Sequence, residues 1–476
     1  TTKWLVAGGL ATASTILICC VGSDPKVGSY DDDSGTDGAT TDGPVIVDDA
    51  GSDASTDLGP CAPDGKTIVC DGTGRCFVQV EGAGQTFCAR DSKCDLYCWG
   101  DNTEGQLGQD PASLPSSAVP KKIDLGGKLV TGVTVGGDTS TPSRGFVCAR
   151  ATDTIGTPSS LYCWGSNVEG QLGVADAGGQ RDVEGGPISY VPHAVATETD
   201  VASISASVAH VCAASSTGAV SCWGYNLRGE LGHTSASEVA PDPVTLTTFK
   251  ALNAASLGTG SRNSCFVTAG SKPEVLCFGD DQAGQLGTGV GSGAGSNTNI
   301  VTRSPNLDAG PTAIATAVTT SCVLETGGKI ECFGANLQGQ CGDGTGVETV
   351  GAPKPPVGLG ALTVTGLVAG EQNFCANVAP TALADGGFTP NLYCWGLNDK
   401  GQTFQPQSGN VLQPTLLTNL PPMKIAHLAL ANQASCAIMG DGSIWCWGAN
   451  SFGELAPASG GSSDGAVKPP TRIVSF

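Results

Sequence analysis

The chain has 476 residues, a net charge of −21, 5% aromatic residues and 21 cysteines. A surface this acidic repels phosphate backbones, which excludes nucleic acid as the expected partner. Glycine at 70 positions, with so few aromatics, fits short strands and tight turns rather than helices.

Residues 4–22, WLVAGGLATASTILICCVG, are uncharged and follow Lys3, the pattern of a secretory signal peptide. The apolar core ends in Cys19 and Cys20. That ending resembles a bacterial lipoprotein signal, which makes Cys19 and Cys20 candidate lipid-attachment residues. Ordinary cleavage, or retention of residues 1–20 as a membrane anchor, are the alternatives. Residues 21–60 hold ten Asp against Lys26 and little apolar content, so they are expected to form a disordered, self-repelling linker. Within it DDDSGTDG lacks the closing Glu of a calcium loop. Residues 61–476 are expected to form the folded unit, with 61–80 as a disulfide-bonded cap and the start of the first repeat. Cys61, Cys70, Cys76 and Cys94 stand outside the repeats and would supply two bridges of undetermined pairing.

From Tyr97 onward one phrase recurs: YCWGDNTEGQLG, YCWGSNVEGQLG, SCWGYNLRGELG, LCFGDDQAGQLG, ECFGANLQGQCG, YCWGLNDKGQTF and WCWGANSFGELA. Its aromatic residues, Trp99, Trp164, Trp223, Phe278, Phe333, Trp395 and Trp447, are 52 to 65 residues apart. A phrase returning at such a period marks a repeat architecture. Each copy carries two cysteines. The expected pairs are Cys88 with Cys98, Cys148 with Cys163, Cys212 with Cys222, Cys265 with Cys277, Cys322 with Cys332, Cys375 with Cys394 and Cys436 with Cys446. The midpoints carry turn residues, such as Thr217–Gly218, Gly327–Gly328 and Asp441–Gly442. Folding each segment about its turn opposes the two cysteines within disulfide range. Such pairing implies an oxidising compartment outside the cytoplasm. The longer copies place their extra residues at the hairpin tips. Cys341 replaces the Leu of its repeat and is expected to be buried.

After each hairpin, N-x-x-G-[QE]-L-G reads as a turn that frees its Leu to pack inward. A Pro-containing run and a β-branched strand follow, as in VPKKIDL and APDPVTL. Each repeat thus supplies about four strands, as a propeller blade does. The repeat resembles the regulator of chromosome condensation repeat, over about 400 of the 476 residues. The resemblance implies an all-β, seven-bladed β-propeller of four-stranded blades. The paired cysteines look like those of its exported bacterial members. The aromatic after the second Cys is expected to pack between blades. The final KPPTRIVSF run is expected to close the ring by giving residues 470–476 to the first blade as its missing strand.

For function, the resemblance includes exported relatives that bind another protein across one face. The expectation is a monomeric binding module for a protein or glycan at the cell surface, touching membrane only through its N-terminal segment. The family's founding activity, nucleotide exchange on a small GTPase, does not suit an exported acidic chain. Light sensing by a tryptophan cluster, known in the family, loses to packing roles for the repeated tryptophans. A channel-centred hydrolase or lyase is the alternative. Its histidines would be His193, His210, His233 and His427, none of which repeats a metal spacing. No catalytic, cofactor-binding or metal residue is assigned. Specific function is expected where copies disagree: the tips 151–161, 271–275 and 379–392, and the connections 174–190 and 288–304.

Overall fold

In the computed structural model the described residues are 76–473, apart from 140–143, 175–179, 182–186, 234–238, 247–253, 290–296, 304–306, 308, 384–386, 405–408 and 456–466. Cys19, Cys20, Cys61, Cys70 and the whole 1–60 segment lie outside them. Cys76 and Cys94 are both disulfide-bonded, and their partners also lie outside the described residues.

Every strand pairs antiparallel with its sequence neighbour, giving seven sheets that stand in a ring as blades. Blade 3 is representative. Strands Val201–Ala206, His210–Ser215, Val220–Tyr225 and Val239–Thr245 lie in that order from channel to rim. Six sheets have four strands, and blade 2 gains a short fifth from Gln180–Arg181. The chain is a seven-bladed β-propeller.

One expectation fails. The C-terminal strand Lys468–Arg472 pairs with Ile444–Gly448, within the last blade. The first blade already has its own inner strand, Phe77–Ala83. The Pro-containing run is therefore the outermost strand of its own blade, and every blade is continuous in sequence. Among the described residues no strand is exchanged to close the ring.

The cysteines pair within their blades. Cys88 bonds Cys98, Cys148 bonds Cys163, Cys212 bonds Cys222 and Cys265 bonds Cys277. Cys322 bonds Cys332, Cys375 bonds Cys394 and Cys436 bonds Cys446. Each couple is directly opposed on the two middle strands of its blade. Their Cα–Cα distances are 4.0 to 4.2 Å. The longer closed loops tolerate their extra residues at the tip. The Gly two residues after the second cysteine adopts a positive φ, 103° at Gly224, and a Cβ there would sit 2.5 Å from the Ala209 carbonyl. Only glycine fits that position.

There is no single core. Seven apolar clusters sit at the joints between blades, and each holds the aromatic ring of one blade against the blade before it. Trp99, Trp164, Trp223, Phe278, Phe333, Trp395 and Trp447 are all fully buried there. The turn phrase supplies a matching polar contact. The Trp164 Nε1–H donates to the Gln106 carbonyl at 2.9 Å, and Trp223, Trp395 and Trp447 do the same to Gln171, Gln340 and Gln402. Phenylalanine lacks that donor. In blades 4 and 5 the cross-strand neighbour of the ring substitutes: Ser264 Oγ donates to the Glu230 carbonyl, and Ser321 Oγ to that of Gln285. The ring closes in the same way, through Trp99 Nε1–H to the Glu454 carbonyl at 2.7 Å.

The rest of the phrase holds the accepting turn. Its Asn or Asp side chain accepts the backbone N–H five residues on: Leu107 to Asn102, Leu231 to Asn226, Leu286 to Asp281, Cys341 to Asn336. Cys341 is fully buried in the Leu position, and burial pushes its thiol well above the usual range, which makes it inert. In blade 6, Thr403 and Phe404 replace Leu and Gly, and the Phe404 ring packs into the joint from a positive φ of 48°.

These contacts give a graded expectation at the closing joint. Trp99→Phe keeps the ring but strands the buried Glu454 carbonyl, at a cost of about 1–3 kcal/mol. Trp99→Ala also empties the joint, at about 3–5 kcal/mol. Denaturant unfolding with disulfides intact should rank them in that order, and equal losses would contradict the latch.

Candidate functional site

Strand direction sorts the loops onto two faces. In every blade the loops joining strands one to two and three to four emerge at one end, the loop face. The hairpin tips joining strands two and three, and the connections between blades, emerge at the other, the tip face. The variable segments are therefore split. Tips 151–161, 271–275 and 379–392 share the tip face. Connections 174–190 and 288–304 belong to the loop face, and much of both lies outside the described residues.

The channel is lined by the first strand of all seven blades, through small residues such as Gly82, Ala206, Thr259, Ala315 and Ala369. Its cavity is about 80 Å³. That cavity opens at the loop-face end of the inner strands, around residues 81–83, 205–208, 259–261 and 368–371. Its loop-face mouth is stitched by backbone bonds between blades. Gly137 N–H donates to Ser207 O, Ser261 to Val318, Val318 to Glu371 and Asn432 to Gly84. Beyond the inner strand of blade 2, Thr139 Oγ1 accepts from Asn432 Nδ2 of blade 7. The same segment brings Asp138 towards Glu371. Burial first, and Asp138 second, push the Glu371 carboxyl up to about 8. Its Oε1 is buried without a hydrogen-bond partner. Sequence reading missed this pair because its members come from blades 2 and 6.

The four histidines do not converge. His193 lies on the outer strand of blade 2, opposite Cys163. His233 ends the turn of blade 3, where its carbonyl accepts Asn226 Nδ2. His427 is buried on the inner strand of blade 7, its Nδ1 3.4 Å from the Val80 amide. His210 is fully buried between Ser207 Oγ and Ser264 Oγ, each 2.8 Å from a ring nitrogen. Ser264 already donates to the Glu230 carbonyl, so it accepts from His210 Nε2–H. Thr86, Asn263, Thr320 and Asn373 occupy the equivalent register position, opposite the same Gly. His210 is one member of this polar set, which holds the blade top. Among the described residues no three His, Cys, Asp or Glu are grouped to hold a metal.

The loop face carries a second feature that sequence reading misassigned. The first variable position of N-x-x-G holds Val168, Leu227 and Leu337, which are 42%, 40% and 60% exposed. Val347 and Leu412 add to it beside Leu337, at 48% and 36%. Acidic side chains stand on the same face: Asp110, Glu169, Asp343, Glu348 and Asp399. Basic side chains share that face, at Arg144, Arg228, Arg262 and Lys400, and the tip face is likewise mixed, with Lys93, Lys128, Lys272, Lys329 and Lys424 beside Asp95, Asp124, Asp153, Glu274 and Asp441. The signal was present inside the phrase itself, as variable positions within an otherwise constant turn.

The model of the "Regulator of chromosome condensation (RCC1) repeat" matches residues 95–141 and 159–214, and a second model of the same description matches 425–454. The human E3 ubiquitin-protein ligase HERC2 is 26% identical over 380 residues, covering 76% of this chain but only 7% of that protein. The mitochondrial RCC1 domain-containing protein RUG3 of Arabidopsis thaliana is 24% identical, over 74% of this chain and 77% of its own. Among solved structures, Prp20p from Saccharomyces cerevisiae, described with its binding to Gsp1p and histones, has a TM-score of 0.64. It is 21% identical, and the match covers 80% of this chain and 86% of that one. Human WBSCR16 has a TM-score of 0.62 at 16% identity, covering 78% and 88%. At these identities the structural likeness speaks to fold alone.

Burial pulls His210 down to about 3 and His427 likewise. The folded protein keeps both neutral, while an exposed histidine protonates near 6.5. The stability they contribute is present above that value and is lost as pH falls from it towards 3. His210→Asn, the residue found at the equivalent place in blades 4 and 6, should leave the fold intact and make acid unfolding less steep. An unchanged acid midpoint would remove His210 from the account.

Proposed function

The chain belongs to the regulator of chromosome condensation repeat family, and from that premise we propose that it is a binding module that docks a protein partner on its loop face. The observation carrying this reading is the exposure of Val168, Leu227 and Leu337 at one position of the turn in blades 2, 3 and 5, with Val347 and Leu412 beside Leu337. Large apolar side chains are held in water there by rigid, hydrogen-bonded turns. Leu337, Val347 and Leu412 form the contiguous part of this apolar surface, and a contiguous exposed apolar patch marks an interaction site. Charges of both signs surround them, so the partner is defined by apolar side chains with a mixed polar rim. Prp20p is described as binding proteins, which supports a protein partner ahead of a glycan.

Seven disulfides suit an oxidising environment. In this reading the protein is exported. Residues 1–20 serve as its signal or anchor, with Cys19 and Cys20 as the candidate lipid-attachment residues, and 21–60 serve as a tether. The described chain enters at the tip face, where the Phe77 amide bonds the Gly442 carbonyl of blade 7. A tether attached there leaves the loop face turned outward.

The test is capture of proteins from a cell-envelope extract by parent and variant chains. Leu227→Glu with Leu337→Glu should weaken capture by about tenfold or more without shifting thermal unfolding. Ile155→Glu, on a tip, should bind as the parent does. Loss of capture with Ile155→Glu and none with the double variant would move the site to the other face.

A further inference from the structure

The residue before the Leu of the turn phrase is Gln in five blades, but Glu230 in blade 3 and Glu454 in blade 7. The residue following the aromatic–Gly pair in the next blade changes with it. Ser166, Tyr225, Ala335, Leu397 and Ala449 follow the glutamine blades, whereas Asp280 follows Glu230 and Asp101 follows Glu454. An acid is thus set against an acid at two joints, 3/4 and 7/1, and at no other. All four are buried: Glu230 and Glu454 are 0% exposed, Asp280 1% and Asp101 4%.

The local geometry shows what the second acid replaces. In the glutamine blades Oε1 accepts the amide two residues back, as Gln402 does from Lys400, which leaves Nε2 as a donor. Gln402 Nε2 donates to the Asn432 carbonyl of the next blade and Gln106 Nε2 to Asp101 Oδ2 of its own blade, while Gln171 Nε2 and Gln285 Nε2 are buried without a partner. In the glutamate blades Oε2 takes the same amide, from Arg228 and from Phe452, each at 2.7 Å. The remaining Oε1 of Glu230 and of Glu454 is buried with no partner. Unlike a neutral amide at this position, it carries charge beside a second buried acid, Asp280 at Glu230 and Asp101 at Glu454.

We propose that joints 3/4 and 7/1 are proton-dependent latches: a proton on Glu230 and on Glu454 relieves the meeting of two buried carboxylates, and its loss loosens these two joints. Each blade is clamped by its own disulfide, so a joint can loosen without its blades unfolding. The charged group facing Glu454 is Asp101, which is itself bound by Thr103 and Gln106. Glu230 faces Asp280 from blade 4 and Arg228 from its own turn, and Arg262 and Asp281 flank Asp280. Burial dominates at both sites and raises both glutamates to about 7. An opened joint returns them to the ordinary value of 4.5. The latch is therefore complete below 4.5, weakens as pH rises through the folded value and changes no further above it.

The joint-specific reporter is the indole N–H. Trp99 sits at joint 7/1, while Trp164, Trp223, Trp395 and Trp447 sit at glutamine joints. Solvent exchange of the indole protons of the full chain, followed by NMR at pH 5 and pH 8, compares them within one molecule. Relative to the other four, Trp99 should lose protection by roughly tenfold between the two pH values. Glu454→Gln, which installs the residue of the other blades, should abolish that difference. Glu230→Gln should leave Trp99 unaffected, yet stabilise the chain at pH 8 relative to parent more than at pH 5. Trp99 protection that tracks the other four indoles, or a pH response that survives Glu454→Gln, would overturn the proposal. So would a Glu230→Gln effect equal at both pH values.

Discussion

An aromatic ring laid against the preceding blade, with a side-chain donor bonded to that blade's turn carbonyl, is the contact on which this structure depends. It occurs at seven joints, including the one that closes the ring. The disulfide holds the two middle strands together, and the ring residue stands directly after its second cysteine: Cys98, Cys163, Cys222, Cys277, Cys332, Cys394 or Cys446. The Asn-capped turn presents the accepting carbonyl. Each part of the repeated phrase therefore serves the blade boundary: the clamp within a blade, the ring into the next joint, the turn that receives the following ring. This explains how a chain with 5% aromatics sustains a large ring. Its tryptophans are spent almost entirely where two blades meet.

Much of this was legible in the text. Cysteine pairs centred on Gly-containing turns implied hairpins, because opposed residues on antiparallel strands come within bonding distance. Seven copies implied seven blades. The ownership of the outer strand was not legible, because periodicity alone does not say where a repeat begins. The run VPKKIDL lies between two copies and could belong to either. Only the pairing of Tyr97 with Lys122 and of Cys98 with Lys121 assigns it to the first. The same ambiguity produced the expectation that the C-terminal run belonged to blade 1.

The candidate site was less visible, for a different reason. The tips and long connections looked like the places where copies differ, yet they divide between opposite faces. Leu227 and Leu337 sit inside the constant phrase, where they read as scaffold. Their exposure follows from the turn: Asn226 and Asn336 fix the backbone, Leu231 and Cys341 go inward, and the residue after the Asn is left outside. The carboxyl pair of Asp138 and Glu371 and the two acid-on-acid joints arise from residues far apart in sequence. They become visible only when the ring sets blade beside blade.

If every joint rests on the same contact of ring and turn carbonyl, whatever its carboxylates add, the position of the chain ends carries no structural weight. A circular permutant tests this most directly. The C-terminus would be joined to residue 61, so that residues 61–75 become an ordinary connection between blades. The new ends would lie between Gly126 and Gly127, where a Cβ at either position meets nothing within 4 Å. Unfolding in denaturant at a fixed pH should remain one cooperative transition, with stability within about 1 kcal/mol of the parent. A permutant that fails to fold, or that unfolds in separate steps far below the parent, would show that the closing joint is not equivalent to the other six.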